Sequence, residues 1–219
     1  MTQKTLNLTG LAIVFTTLAV ALVTLYVMLD DSDIVESSRA FLRVSGRAGM
    51  ALFFISFGAS PLHRIFRSSW TSILIKYRRY LGISCAIVLW MHFLVILSLS
   101  FTAPSWFDEN APWYILYSGS LVFLLVGLMA LSSNNYWQRK LGIKNWRGLH
   151  IVGGYAALAG FISEYVLVLY LQPVLLPGYV FVVKNSSPMV YSLFAVPLLL
   201  LALRLRRHKK TRGVNYAQV

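Results

Sequence analysis

Residues 81–101 read LGISCAIVLWMHFLVILSLSF, an apolar run whose only ionisable groups are His92 and the thiol of Cys85. About 20 helical residues cross the ~30 Å hydrocarbon core of a bilayer, so this run spells a transmembrane helix. A titratable ring in the middle of it needs a physical reason. An unpaired polar group in hydrocarbon costs roughly 2 to 7 kcal/mol, so the imidazole is expected to be hydrogen-bonded, to ligate a metal, or to face a polar cavity.

Outward from this run, five more stretches have the length and composition of spans: residues 8–29, 48–62, 113–131, 149–171 and 189–203. With 58% hydrophobic and 12% charged residues and a mean hydropathy of +0.67, the 219-residue chain is not a soluble domain. Uninterrupted apolar runs also exclude the alternating strands of a membrane barrel. The expected fold is an all-α integral membrane bundle of six transmembrane helices over residues 1–205, followed by a basic tail at 206–219. The first run follows Lys4 but ends in Leu29-Asp30-Asp31 without a small-residue cleavage pattern, so it is expected to be retained as a helix. Cys85 is the single cysteine, which excludes an internal disulfide or a thiolate cluster and leaves it as a small packing residue.

The net charge of +13 would suggest nucleic acid in a soluble protein, but here its distribution reads as topology. Arg64, Arg67, Lys76, Arg78 and Arg79 fall between the second and third runs, Arg139, Lys140, Lys144 and Arg147 between the fourth and fifth, and a basic cluster begins at Arg204. The opposite side keeps Arg39, Arg43, Arg47 and Lys184 together with every acid except Glu164. The positive-inside rule then places both termini in the cytoplasm, with lipid headgroups as the ordinary partners of the basic clusters and no nucleic acid. Trp106, Trp113 and Tyr114 are expected at the outer interface, and Trp70, Tyr77, Tyr80, Tyr136, Trp137 and Trp146 at the inner one. Glu164 is the only carboxylate inside an apolar run.

The segments between runs carry pattern. Ser45-Gly46-Arg47 opens the second span and Ser60-Pro61-Leu62-His63-Arg64 closes it. Arg78-Arg79-Tyr80-Leu81-Gly82 opens the third, with His92 fourteen residues after Arg78. Gln138-Arg139-Lys140-Leu141-Gly142 is followed by Trp146-Arg147-Gly148-Leu149-His150 at the start of the fifth. From about residue 45 to 165 this set resembles the ferric-reductase-like transmembrane domain superfamily, and within it the haem-binding membrane subunits of the bacterial periplasmic methionine sulfoxide reductase system, the MsrQ (YedZ) family. The resemblance implies a multi-pass protein of the bacterial inner membrane that holds haem b between its third and fifth spans through histidine nitrogens. It also implies electrons relayed from a quinol or reduced flavin to a periplasmic reductase partner such as a methionine sulfoxide reductase. Such a chain is a subunit of an oxidoreductase rather than a complete enzyme. Iron held by two imidazoles is coordinatively saturated and suited to electron transfer.

By this resemblance His92 is the outer iron ligand and His150 an inner ligand or a group beside the donor site. The sequence departs from the family at Ser163, where members usually place a second histidine thirteen residues after the position of His150. Glu164 could face the same cavity as a ligand, a hydrogen-bond partner or an ion pair of His92; it could equally pair with a hydroxyl or snorkel outward. His63 could complete a pair with His150, or be an interfacial residue. Arg47, Arg64, Arg78 and Arg79 are candidates for haem propionates, for a flavin (FMN) phosphate or for a quinone carbonyl, since guanidinium groups bind carboxylates in bidentate fashion. Gly153, Gly154, Ala157 and Gly160 form a small-residue surface that either admits a macrocycle edge or packs helices closely. No phosphate-binding fingerprint is present, so NAD(P)H binding is not expected. Two other function classes fit these residues. One is a cofactor-poor member acting as a membrane binding or assembly module; the other is a small proton-coupled transporter relaying through Glu164 and His92.

Overall fold

A computed structural model describes residues 3–29, 33–111 and 113–166, with helical fragments at 195–196, 198–199 and 201–202. The described residues are all helical: α1 (Gln3–Leu29), α2 (Ile34–Phe66), α3 (Ser69–Thr102), α4 (Pro104–Asn110), α5 (Trp113–Leu131), α6 (Asn135–Leu141) and α7 (Ile143–Val166). The first three are long and apolar enough to cross a membrane, and the Gly119–Leu131 part of α5 with α6, bent by 106°, would make a fourth span. Most of the run at 189–203, and the whole tail at 206–219, lie outside the described residues.

Two helices run well beyond the spans expected for them. α2 begins at Ile34 rather than 48, because its first third buries one face and leaves the other charged. Ser37, Ser38, Phe41, Leu42 and Ser45 are buried, and Phe41 and Leu42 pack with Val95, Leu99 and Phe107. The Asp33 carboxylate caps it, accepting from the Val35 and Glu36 amides at 3.0 and 3.2 Å. On the outward face Glu36 takes both Arg39 and Arg43 at 2.9 Å, and Arg39 also lies over the Trp106 ring. The predicted outer loop is therefore largely helix.

The predicted inner segment between the second and third runs is also nearly all helix. Only Arg67 and Ser68 separate α2 from α3. Arg67 takes a left-handed conformation (φ 36°), and its amide donates to the His63 carbonyl at 3.1 Å. Thr71, fully buried, closes the turn: its hydroxyl donates to the Ser68 carbonyl and accepts from the Ser68 amide.

α2 and α3 form the most extensive helix pair, α5 packs on both α3 and α7, and α1 lies against α3. Gly10 meets the Tyr80 ring there, and Tyr80 donates to Asn7 at 3.1 Å. The main core joins Met50, Phe53, Phe54 and Phe57 of α2 to Cys85, Ala86 and Leu89 of α3, Val126 of α5, and Ala157 and Leu158 of α7. Cys85 donates to the Gly49 carbonyl at 3.3 Å, consistent with a packing residue.

Candidate functional site

His92 is carried by α3 against α2. Its Nδ1 lies 2.9 Å from the Ser45 hydroxyl. That hydroxyl also donates to the carbonyl of Phe41 one turn back, at 2.7 Å, or to that of Leu42 at 3.4 Å. A serine has one proton to give. Donated to a carbonyl, it leaves the oxygen to accept from an Nδ1–H; donated to the ring, it requires a lone pair on Nδ1. The ring sits close over the α2 backbone: a Cβ at Gly46 would lie 3.4 Å from His92 Cε1. On the α5 side, Phe123 stacks at 5.9 Å with a 32° tilt.

The second imidazole belongs to a different setting. After α5 ends at Leu131, Asn134 caps α6 by accepting from the Trp137 amide at 2.8 Å. Gly142, at φ +74°, then turns the chain into α7. This reversal brings Trp146, Arg147 and His150 back beneath the end of α5. The Trp146 indole donates to the Ser132 carbonyl at 2.9 Å and its ring meets His150 at 4.4 Å. Trp146, expected at the inner interface, is half-buried with its ring against the imidazole. His150 Nε2 lies 3.3 Å from the Ser132 hydroxyl, which itself donates to the Met129 carbonyl at 3.2 Å. Here the nitrogen engaged by the serine is Nε2 and the other is Nδ1.

His150 lines an open cavity of about 570 Å³, within the range of roughly 300 to 1,000 Å³ usual for ligand pockets. Its apolar wall is Phe53, Phe57, Val126 and Met129, and its polar wall includes Arg78, Arg79, Arg147, Asn134 and Gln138. Arg78 also braces the fold. Its Nε donates to the Ser56 carbonyl and its Nη1 to the Ser60 hydroxyl, both at 3.0 Å, just before Pro61 interrupts the hydrogen-bond ladder of α2.

Of the residues singled out from the sequence, the structure gathers His150, Arg78 and Arg79 around this cavity. Arg47 is exposed beside Gly46 on α2, and Arg64 is exposed near the end of that helix; neither lines it. His63 binds the Thr71 hydroxyl through Nδ1 at 2.9 Å and does not line the cavity either. His92 is also absent from its walls. Fourteen residues of α3 separate His92 from Arg78, about 21 Å at ~1.5 Å per residue, so the two imidazoles occupy different levels. Ser163 is exposed, its hydroxyl on the Gly160 carbonyl at 2.9 Å. Glu164 falls within α7, but its side chain lies outside the described residues.

The small residues of α7 divide between the two roles open from sequence. A Cβ at Gly153 would come within 2.7 Å of Met129, and one at Gly160 within 3.1 Å of Val122, so these two let α5 approach. Gly154 lies against Phe57 and lines the cavity. Sequence reasoning assigned no site role to Ser132 or Asn134, used Ser45 and Gln138 only as motif letters, and placed Trp146 at the inner interface. The i−4 and i−3 back-bonds that commit the two serine protons become visible only once helices are paired.

Among the described residues no three His, Cys, Asp or Glu side chains gather as a metal cage. A porphyrin, which supplies four ligands of its own, needs only axial donors from the chain. The donors for such a group are divided between two levels: His92 at the outer level does not line the cavity, while His150 and the guanidinium groups of Arg78, Arg79 and Arg147 border it at the inner level.

The profile of the family described as ferric reductase like transmembrane component matches residues 45–161, just over half of the chain. No solved structure matches. The matched region opens at Ser45, whose hydroxyl meets His92, and closes at Phe161, whose ring packs on Phe53 and Phe54. It encloses both imidazoles and the cavity.

Proposed function

This chain belongs to the ferric-reductase-like transmembrane family, and from that premise we propose that it is a haem b electron-transfer subunit of the bacterial inner membrane, similar to MsrQ. It carries electrons from a quinol or flavin donor on the cytoplasmic side to a periplasmic reductase partner, such as a methionine sulfoxide reductase. Six spans with both termini inside follow from the charge asymmetry of the loops.

The observation that carries this reading is the state of His92. Its Nδ1 is engaged by Ser45 at 2.9 Å, and its Nε2 is the nitrogen turned away from that bond inside a helix bundle. An imidazole so arranged is a ligand for a metal, with the hydrogen bond on its other nitrogen setting orientation and basicity. Haem bound there would supply a one-electron couple, with a potential tuned by axial ligand, hydrogen bonding and burial. The chain's own residues do the rest. Ser45 and Phe123 hold the ring from two sides, Arg78, Arg79 and Arg147 offer charge to carboxylate or phosphate groups, and Phe53 and Phe57 give the inner cavity an apolar wall.

The reading is tested by a reduced-minus-oxidised visible spectrum of the protein purified from haem-replete cells. A Soret band and a reducible α-band are expected, both lost in His92→Ala. If haem never co-purifies, the reading fails. One observation favours a second reading, a binding or assembly module that has shed its cofactor. Ser163 stands where family members usually carry a histidine, and it is exposed with its hydroxyl turned to its own helix. Spectra without a haem signal, from a protein that folds normally, would establish that alternative.

A further inference from the structure

We infer that Ser45 is the positioning residue of His92, fixing the ring as its Nδ1–H tautomer so that the lone pair is presented on Nε2. The inference rests on the proposed haem role only for its consequence, because the tautomer is a property of the metal-free chain.

The argument is a count of protons. Ser45 Oγ has an acceptor in the Phe41 carbonyl at 2.7 Å and a second in the Leu42 carbonyl at 3.4 Å. Carbonyls cannot donate, and the Phe41 carbonyl is the nearer partner, so we assign the hydroxyl proton to it and leave the oxygen to accept. The ring nitrogen 2.9 Å away is Nδ1, which must then carry the hydrogen. An unconstrained histidine side chain prefers the opposite, Nε2–H form, so the arrangement has to be imposed by neighbours. Ser45 is buried, so water does not compete for the bond.

The ring is also confined. Gly46 lets it lie close over α2, and Phe123 covers it from α5 at 5.9 Å. Rotation of the imidazole by half a turn about Cβ–Cγ would put Cδ2 in the place of Nδ1 and Cε1 in the place of Nε2, losing the Ser45 hydrogen bond and turning a carbon to the ligand side. Ser45 therefore acts through His92 rather than by touching any group that His92 binds.

The test is ¹⁵N NMR of the full-length protein, labelled at histidine and prepared free of haem in a membrane mimetic, with the His92 signals identified by their loss in His92→Ala. In the unaltered protein neutral His92 is expected in the Nδ1–H form. Ser45→Ala should shift the population towards Nε2–H, and Ser45→Thr, which keeps the hydroxyl, should restore the original pattern. An Nε2–H ring in the unaltered protein overturns the inference, and so does a Ser45→Ala protein whose ring remains wholly Nδ1–H. Failure here with a normal haem spectrum leaves the electron-transfer reading standing, whereas absence of haem with the expected tautomer removes that reading and leaves the role of Ser45 intact.

Discussion

The surroundings of His92 and of His150 are built from the same pieces and end in opposite states. Each ring meets one serine hydroxyl whose proton is committed to a carbonyl of its own helix, and each meets an aromatic ring on a second face. His92 is held through Nδ1 at 2.9 Å, part-buried between α2 and α5; His150 is held through Nε2 at 3.3 Å on the wall of a cavity. One imidazole is thus prepared to ligate through Nε2, and the other to accept a hydrogen bond through Nδ1. Counting histidines does not reveal this, because chemical role follows from which nitrogen the neighbours leave free.

The largest expected effect breaks the comparison most directly. His92→Ala should abolish the haem absorbance of the purified protein, while His150→Ala should keep the bands and alter only reduction by an added quinol or flavin. Equal loss in both variants would show that the two sites share one role. The next effect is on the inner wall. Phe57 is 5% exposed and stacks on Phe53 at 5.1 Å, so Phe57→Ala should cost about 3 to 5 kcal/mol, the usual range for removing a buried phenyl ring. It should also enlarge the cavity without disturbing His92, as a lower melting temperature and an unchanged His92 NMR signal would report.

Arg78→Ala is expected to cost about 1.5 to 3 kcal/mol through lost charge-assisted hydrogen bonds, because α3 would lose its tie to Ser56 and Ser60 at the Pro61 break. Arg78→Lys should not recover the loss, since one ammonium group cannot reproduce the fork of the guanidinium. Chemical denaturation in detergent measures both. The smallest effect belongs to the outer end of α2. Glu36 is half exposed in its contacts to Arg39 and Arg43, so Glu36→Ala should change stability by no more than ~1 kcal/mol, and less at high salt.

Much of the fold is legible in the run lengths. Residues 81–101 lie within α3, and residues 113–131 coincide with α5, because an uninterrupted apolar run of that length in lipid can satisfy its backbone only as a helix. The outer third of α2 was less legible. Its arginines and serines read as a loop until Phe41 and Leu42 are seen packed on Leu99 and Phe107. Pairing of the candidate residues was not legible at all. Helical spacing placed His92 and Arg78 at different depths, but nothing in the sequence brings Trp146 and Ser132 onto His150, since that depends on the 106° bend after α5 and the left-handed Gly142.

The sequence by itself determined that this chain lives in a membrane, that its arginines gather at the helix ends, and that a histidine lies at depth in the third span. Hydropathy and charge are additive along the chain, and they act wherever a residue stands in it. The tertiary structure alone decided which nitrogen of each imidazole is committed and which arginines share a cavity. A hydrogen bond needs two groups within about 3 Å with their protons already assigned, and separate helices meet that condition only after they pack.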